Sequence, residues 1–192
     1  MGEDETDLVR YRLIAAQSQF TVQAFAEGLF SAFGHNPVIA IRDFTGEAVC
    51  TPSTLSQASV RMIIKADSLA VLGEVKEKDR QEIERMMREE VLETEKYPEI
   101  VFESTNISAS RLAQGRSRAR IIGNLSLHGV TQNNLWIYAE VTPSEESLRA
   151  QGEFSLKQTD YGIKLVSVAG GTLKVKNEVK FSFDIKGMRD EG

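Results

Sequence analysis

The chain has 192 residues, of which 41% are hydrophobic and 27% charged, with 14 Gly and only 4 Pro. That length and balance suit one globular domain with a sizeable core, and they exclude collagen-like and wholly disordered chains. The net charge is −5, from 23 Lys+Arg against 28 Asp+Glu, the wrong sign for a general nucleic-acid binder.

The single cysteine, Cys50, rules out an internal disulfide. Beside only His35 and His128 it leaves too few ligands for a thiolate zinc site or a three-His metal centre. The opening residues, Met1 to Asp7, are acidic and polar, without the basic flank and apolar stretch of a secretory signal. No apolar run approaches the ~18 residues that a membrane-spanning helix needs. These features lead us to expect a cytoplasmic chain with no membrane span, no metal and no cofactor.

In chain order, strands are predicted at 9–15 and 18–27, the latter with Phe20, Val22, Ala24 and Ala26 on one face and Gln19, Thr21, Gln23 and Phe25 on the other. Two more follow at 38–43 and 46–51. Over 57–67, Val60, Met62, Ile64 and Ala66 oppose Ser59, Arg61, Lys65 and Asp67. The next segment, 74–96, is densely charged and lacks Gly and Pro, and its Ile83, Met86, Met87 and Val91 recur at helical spacing. A helix is predicted at 78–93, with Asp79 as N-cap, Glu84 and Arg88 as a favourable pair, and Pro98 closing the segment. Its charges read as a solvated face, and its narrow apolar stripe as a contact with the sheet.

Strands resume at 100–108 and at 116–127, where Arg116, Arg118 and Arg120 oppose Ala119, Ile121, Leu125 and Leu127. In 134–142, Leu135, Ile137, Ala139 and Val141 alternate with Trp136, Tyr138, Glu140 and Thr142. A strand at 147–157 precedes the clearest alternation, 178–187, where Val179, Phe181, Phe183 and Ile185 oppose Lys180, Ser182, Asp184 and Lys186. Gly115, His128-Gly129 and the stretch 143–146 supply short breaks, so the long runs read as antiparallel meanders.

About ten strands and one helix leave a sandwich or a closed barrel. Closure removes the two open edges of a long sheet, and an up-and-down barrel of about eight strands has room for side chains or one small ligand. The apolar faces could therefore interlock as a solid core, which would make the chain an interaction module that dimerises or binds a protein. They could instead line an apolar tunnel. Periodicity does not choose between the two.

Three motifs in order add to this reading. Tyr97-Pro98-Glu99-Ile100-Val101-Phe102-Glu103-Ser104-Thr105 follows the charged helix. Gly123-Asn124-Leu125-Ser126-Leu127-His128-Gly129-Val130-Thr131 comes next, and Asp160-Tyr161-Gly162-Ile163 later. Together they resemble the YceI-like family of polyisoprenoid-binding, lipocalin-like proteins, and Tyr11 to Phe20 is similar to the opening hairpin of that family. The resemblance spans about 9–187, with polar tails at 1–8 and 188–192. It implies a mainly β fold, an extended antiparallel barrel with a helix beside it, enclosing an elongated apolar pore. It also implies non-enzymatic binding, transport or sequestration of a long isoprenoid or fatty-acyl amphiphile. Many relatives are periplasmic and carry a signal peptide, in contrast to the acidic opening here.

The tail would then lie against Phe20, Val22, Ala24, Val60, Met62, Ile64, Ile121, Leu125, Leu127, Val179, Phe181 and Phe183, with His35 touching a head group at one mouth. His128 reads as turn structure, and the arginine row as a water-facing strand edge with phosphate contact as its alternative. No residue is expected to be catalytic: Cys50 has no nearby His, and there is no G-x-S-x-G, P-loop, G-x-G-x-x-G or H-E-x-x-H motif. The expected partner is a lipid, with a homodimer as a further expectation.

Overall fold

The alternating runs pair antiparallel with their neighbours in sequence, as short polar breaks between them require. The computed structural model describes residues 8–27, 36–113, 115–168 and 173–191. The strands are β1 Val9–Leu13, β2 Gln19–Glu27, β3 Val38–Ile41, β4 Phe44–Cys50, β5 Ser59–Lys65, β6 Leu69–Val71, β7 Glu99–Arg111, β8 Ser117–Leu127, β9 Val130–Pro143, β10 Ser147–Lys157, β11 Ser167–Val168 and β12 Leu173–Arg189. Helix α1, Glu77–Met86, continues as a π-helical turn, Met87–Val91.

Eight strands, β1, β4, β5, β7, β8, β9, β10 and β12, close into an antiparallel barrel, because β1 pairs with β4 on one edge and with β12 on the other. The fold is thus the mainly β closed barrel that the periodicity suggested.

Three strands break in the middle, and the breaks shape the barrel. β1 passes into β2 through a 3-10 turn, Ala15–Gln17, and β5 passes into β6 through another, Ala66–Ser68. β3 and β4 are separated only by Arg42 and Asp43. On one side of the breaks the neighbours run β12-β1-β4-β5-β7; on the other they run β12-β2-β3-β6. Strand β6 therefore leaves β7, and the space between them goes to α1.

Polar groups hold these corners. Ser18 Oγ accepts from the Lys186 amide at 3.0 Å, and Ser68 Oγ accepts from the Asp43 amide at 3.1 Å. The alternation over 57–67 predicts one continuous strand, but it ends at Lys65. The Ala66 amide turns away and donates to the Pro98 carbonyl at 2.9 Å. Short strands β6 and β11 carry too few residues for a period to show.

The helix starts earlier than its predicted cap. Lys76 occupies the N-cap position without a side-chain bond, and Asp79 lies inside the first turn. Glu77 and Asp79 still sit where the positive end of the helix dipole favours acids. Glu84 does not serve as the surface partner expected for Arg88; its Oε1 accepts from the Val71 amide at 2.9 Å. Glu93, at φ 46°, turns the chain out of the helical segment before Pro98 is reached.

Candidate functional site: an apolar bore

Each long strand points alternate side chains inward, and the inward sets enclose a cavity of about 1110 Å³. That is above the ~300–1,000 Å³ typical of small-molecule sites. All twelve residues named from the alternation stand on its wall: Phe20, Val22, Ala24, Val60, Met62, Ile64, Ile121, Leu125, Leu127, Val179, Phe181 and Phe183. The wall also includes residues that the pairing of strands alone could not assign. Ile39 and Ile41 come from β3, Ile100 and Phe102 from β7, Phe154 and Leu156 from β10, and Ile83, Met86, Met87 and Val91 from the helical segment. The apolar stripe of the helix therefore faces the bore itself and is not laid over the outside of the sheet.

Many inward side chains retain accessible surface. Val60, Met62, Ile100, Phe102, Leu135, Phe154, Phe181 and Phe183 are only partly buried, although they point to the barrel axis. An interlocked core would leave such residues dry and fully covered. The solid-core alternative fails on this point.

One side of the wall is aromatic. Phe154 and Phe181 stack at 4.7 Å with an interplanar angle of 5°, and Phe20 meets Phe183 edge-on at 6.3 Å. The rings also fill space left by glycine. A Cβ on Gly123 would lie 2.5 Å from the Phe102 ring, and one on Gly152 would lie 2.7 Å from Phe183. Glycine at these two positions lets an aromatic ring lie flat across the neighbouring strand.

The two ends differ. At one end Val9, Tyr11, Cys50, Leu55, Ala119, Ala139, Val141 and Leu148 pack as a buried floor. Tyr11 has no exposed surface, and its hydroxyl donates to the Ser144 carbonyl. Burial, with a contribution from neighbouring Cys50, pushes the Tyr11 phenol up to about 12, and burial pushes the Cys50 thiol up to about 11. Both groups are therefore neutral near pH 7, and Cys50 is a poor nucleophile there.

At the other end most of the exposed wall residues gather: Asn36, Leu72, Gly73, Glu74, Lys76 and Asp79. This is the mouth. Beside it α1 is fastened to the free edge of β6. Arg80 donates to the Val71 carbonyl and, at 2.8 Å, to the Gly73 carbonyl, while Glu84 takes the Val71 amide. Two side chains one helical turn apart thus satisfy the edge of a strand that has no further strand neighbour among the described residues.

The three sequence motifs converge near the mouth end: their Ile100, Phe102, Leu125, Leu127 and Ile163 line the bore, while Tyr97, His128, Gly129 and Tyr161 meet outside it. His128 and Gly129 form the two-residue β8–β9 turn, with φ values of 53° and 74°. Such a turn needs positive φ at both central positions. The Tyr97 ring lies 4.7 Å from the His128 ring, and its Cε1 would be 2.5 Å from a Cβ on Gly129, so this position excludes any side chain. His128 Nε2 lies 2.6 Å from Glu93 Oε2, and Nδ1 lies 3.2 Å from the Tyr161 carbonyl. The motif residues thus tie the helix exit, the β8–β9 hairpin and the Gln158–Tyr161 turn together, which is the turn role read for His128.

His35, with the Gly34-His35 element, lies outside the described residues. The arginine row lies on the outer surface, where Arg116 pairs with Glu140 at 2.9 Å and Arg120 stacks over Trp136 at 5.3 Å. Among the described residues no three His, Cys, Asp or Glu side chains converge as a metal site requires, and no helix is long and apolar enough to cross a membrane.

Similar architectures occur in solved structures. Burkholderia cenocepacia BcnA matches with a TM-score of 0.68 at 14% identity, covering 91% of this chain and 98% of that one. A polyisoprenoid binding domain from Saccharophagus degradans implicated in plant cell wall breakdown matches with a TM-score of 0.66 at 16% identity, covering 96% and 100%. The Campylobacter jejuni YceI protein gives 0.58 at 11% identity, covering 80% and 85%. At these identities the likeness is one of fold. No curated protein sequence matches the chain. The profile of the YceI-like domain matches residues 11–187, nearly the whole barrel from Tyr11 to Gly187, and the chain therefore belongs to the YceI-like family.

Proposed function

We propose that this protein binds one long-chain amphiphile, an isoprenoid or fatty-acyl molecule, with its tail in the bore and its polar end at the mouth, and that it carries or sequesters that molecule without changing it. The observation that carries the proposal is the hollow apolar bore, with inward aromatic and aliphatic side chains still accessible after folding. Family membership and the likeness to a polyisoprenoid binding domain point the same way.

The energetics suit a tail. Each buried CH₂ contributes about 0.8 kcal/mol, so a sixteen-carbon chain gains on the order of 13 kcal/mol before ordering and association costs of several kcal/mol. Micromolar or tighter binding then needs few polar contacts. The wall, lined mostly by hydrocarbon side chains, solvates a tail.

Native mass spectrometry of the purified protein, followed by solvent extraction, tests this. We expect a bound long-chain species that is lost, or at least tenfold reduced, in Leu125→Trp, whose indole would cross the bore from β8. A wild-type protein that yields no lipid, takes up none when offered and does not brighten an apolar dye overturns the reading.

A further inference from the structure

We propose that Gln158 selects the polar end of the bound amphiphile, its Oε1 accepting a hydrogen bond from a hydroxyl or N–H on the ligand, so that the bore favours long-chain alcohols over long-chain carboxylates. This rests on the tail-binding reading and adds to it a chemical class of head group.

Gln158 opens the turn Gln158–Tyr161 after β10, lines the cavity and is 8% exposed. The other side chains on the wall that carry an amide, a hydroxyl or a charge, Asn36, Ser59, Glu74, Lys76 and Asp79, are exposed. Among the described residues Gln158 is therefore the buried amide, hydroxyl or charged group on the wall.

The orientation of its amide follows from one contact. Nε2 donates to the Lys176 carbonyl at 2.9 Å. A carbonyl can only accept, so the nitrogen must be the atom turned towards Lys176, and Oε1 is the other terminus. Among the described residues no donor bonds to Oε1. Its depth is also set: the next inward residue of β12 beyond the Lys176 side, Val175, pairs with Ala26 at the mouth, whereas Leu156 and Val179 pair just below. A group at Gln158 thus meets the first atoms of a tail whose polar end remains near the opening.

An amide oxygen on a wall made mostly of hydrocarbon prefers a ligand that brings it a donor over one that does not. An ionised carboxylate brings only lone pairs and opposes Oε1.

The test measures displacement of a neutral apolar dye by dodecanol and by dodecanoate at pH 8, in the wild type, in Gln158→Met and in Gln158→Asn. Dodecanol is expected to displace dye at a concentration about tenfold lower than dodecanoate in the wild type, the factor that one ordinary hydrogen bond carries. Gln158→Met should shrink that gap by weakening the alcohol, with dodecane displacing dye as before. Gln158→Asn keeps an amide but withdraws it by one methylene, and should narrow the gap partly; it also serves if the methionine variant fails to fold. An unchanged alcohol-to-carboxylate ratio in folded variants overturns the role of Gln158 while the bore reading stands. Failure of dye and every amphiphile to bind the wild type overturns the bore reading and this inference together.

Discussion

The floor and the mouth of this barrel are built by the same strands, yet one is dry and the other open. At the floor β1, β4 and β5 remain in the closed ring, and small Ala119 and Ala139 pack with Tyr11 and Leu55 in one buried cluster. Towards the mouth the same three chain segments have broken and changed neighbours, and a helix lies along the edge of β6 where a strand would have closed the ring. Ring closure brings opposite walls within side-chain reach. Substituting a wider helix for a strand holds them apart and leaves the wall residues partly uncovered.

The comparison can be broken most sharply at Tyr11. Its replacement by alanine should remove about 3–5 kcal/mol of stability, as for other buried rings, because the floor has no second layer to collapse inward. Urea unfolding measures this, and a loss below about 1 kcal/mol means the floor is not packed as described.

Alkaline pH should attack the same end with a smaller effect. Cys50 and Tyr11 are acids whose folded-state values lie above their ordinary 9.0 and 10.0. The unfolded chain releases these protons first, so stability is intact below about pH 9 and falls as pH rises towards 11–12. The thiol alone is expected to account for about 2 kcal/mol of that fall. Cys50→Ala should flatten the early part of the profile, seen by urea unfolding at stepped pH.

On the wall, Phe181→Ala should cost only about 1–2 kcal/mol, less than at Tyr11, since the Phe181 ring already faces open space and what is lost is its stack on Phe154 and its tilted contact with Phe20. It should alter tail affinity more than it alters stability. The reverse ranking, Phe181 costing more than Tyr11, would undo the distinction between the two ends.

The smallest effect is expected at the helix fastening. Glu84→Ala should cost about 1 kcal/mol, and it should accelerate exchange of the Val71 amide several-fold, because that N–H then has no acceptor. Exchange at an unchanged rate would mean that the helix does not protect the edge of β6.

How much was readable in advance differs along the chain. The segment 178–187 appears with the predicted facing, paired with the strand expected at 147–157, because a half-buried strand writes its environment into every second residue. The change of direction at Ala66 was not readable, since Ala66 continues the alternation of Val60, Met62 and Ile64 and nothing local marks the bond from its amide to Pro98. Glu84 was placed with Arg88 by helical spacing, but its actual partner, Val71, comes from a strand lying beside the helix. Gln158 carried no signal because one polar residue at the end of a strand looks like an ordinary turn.

The amino-acid sequence by itself determined which side chains share a face, where the one helix lies and which turns demand glycine, because those depend on local geometry and period. Tertiary structure alone decided that β12 would close on β1, that the broken strands would exchange neighbours and that the enclosed space would stay hollow. Those outcomes depend on distances between walls whose residues are far apart in the chain, and no local pattern encodes such a distance.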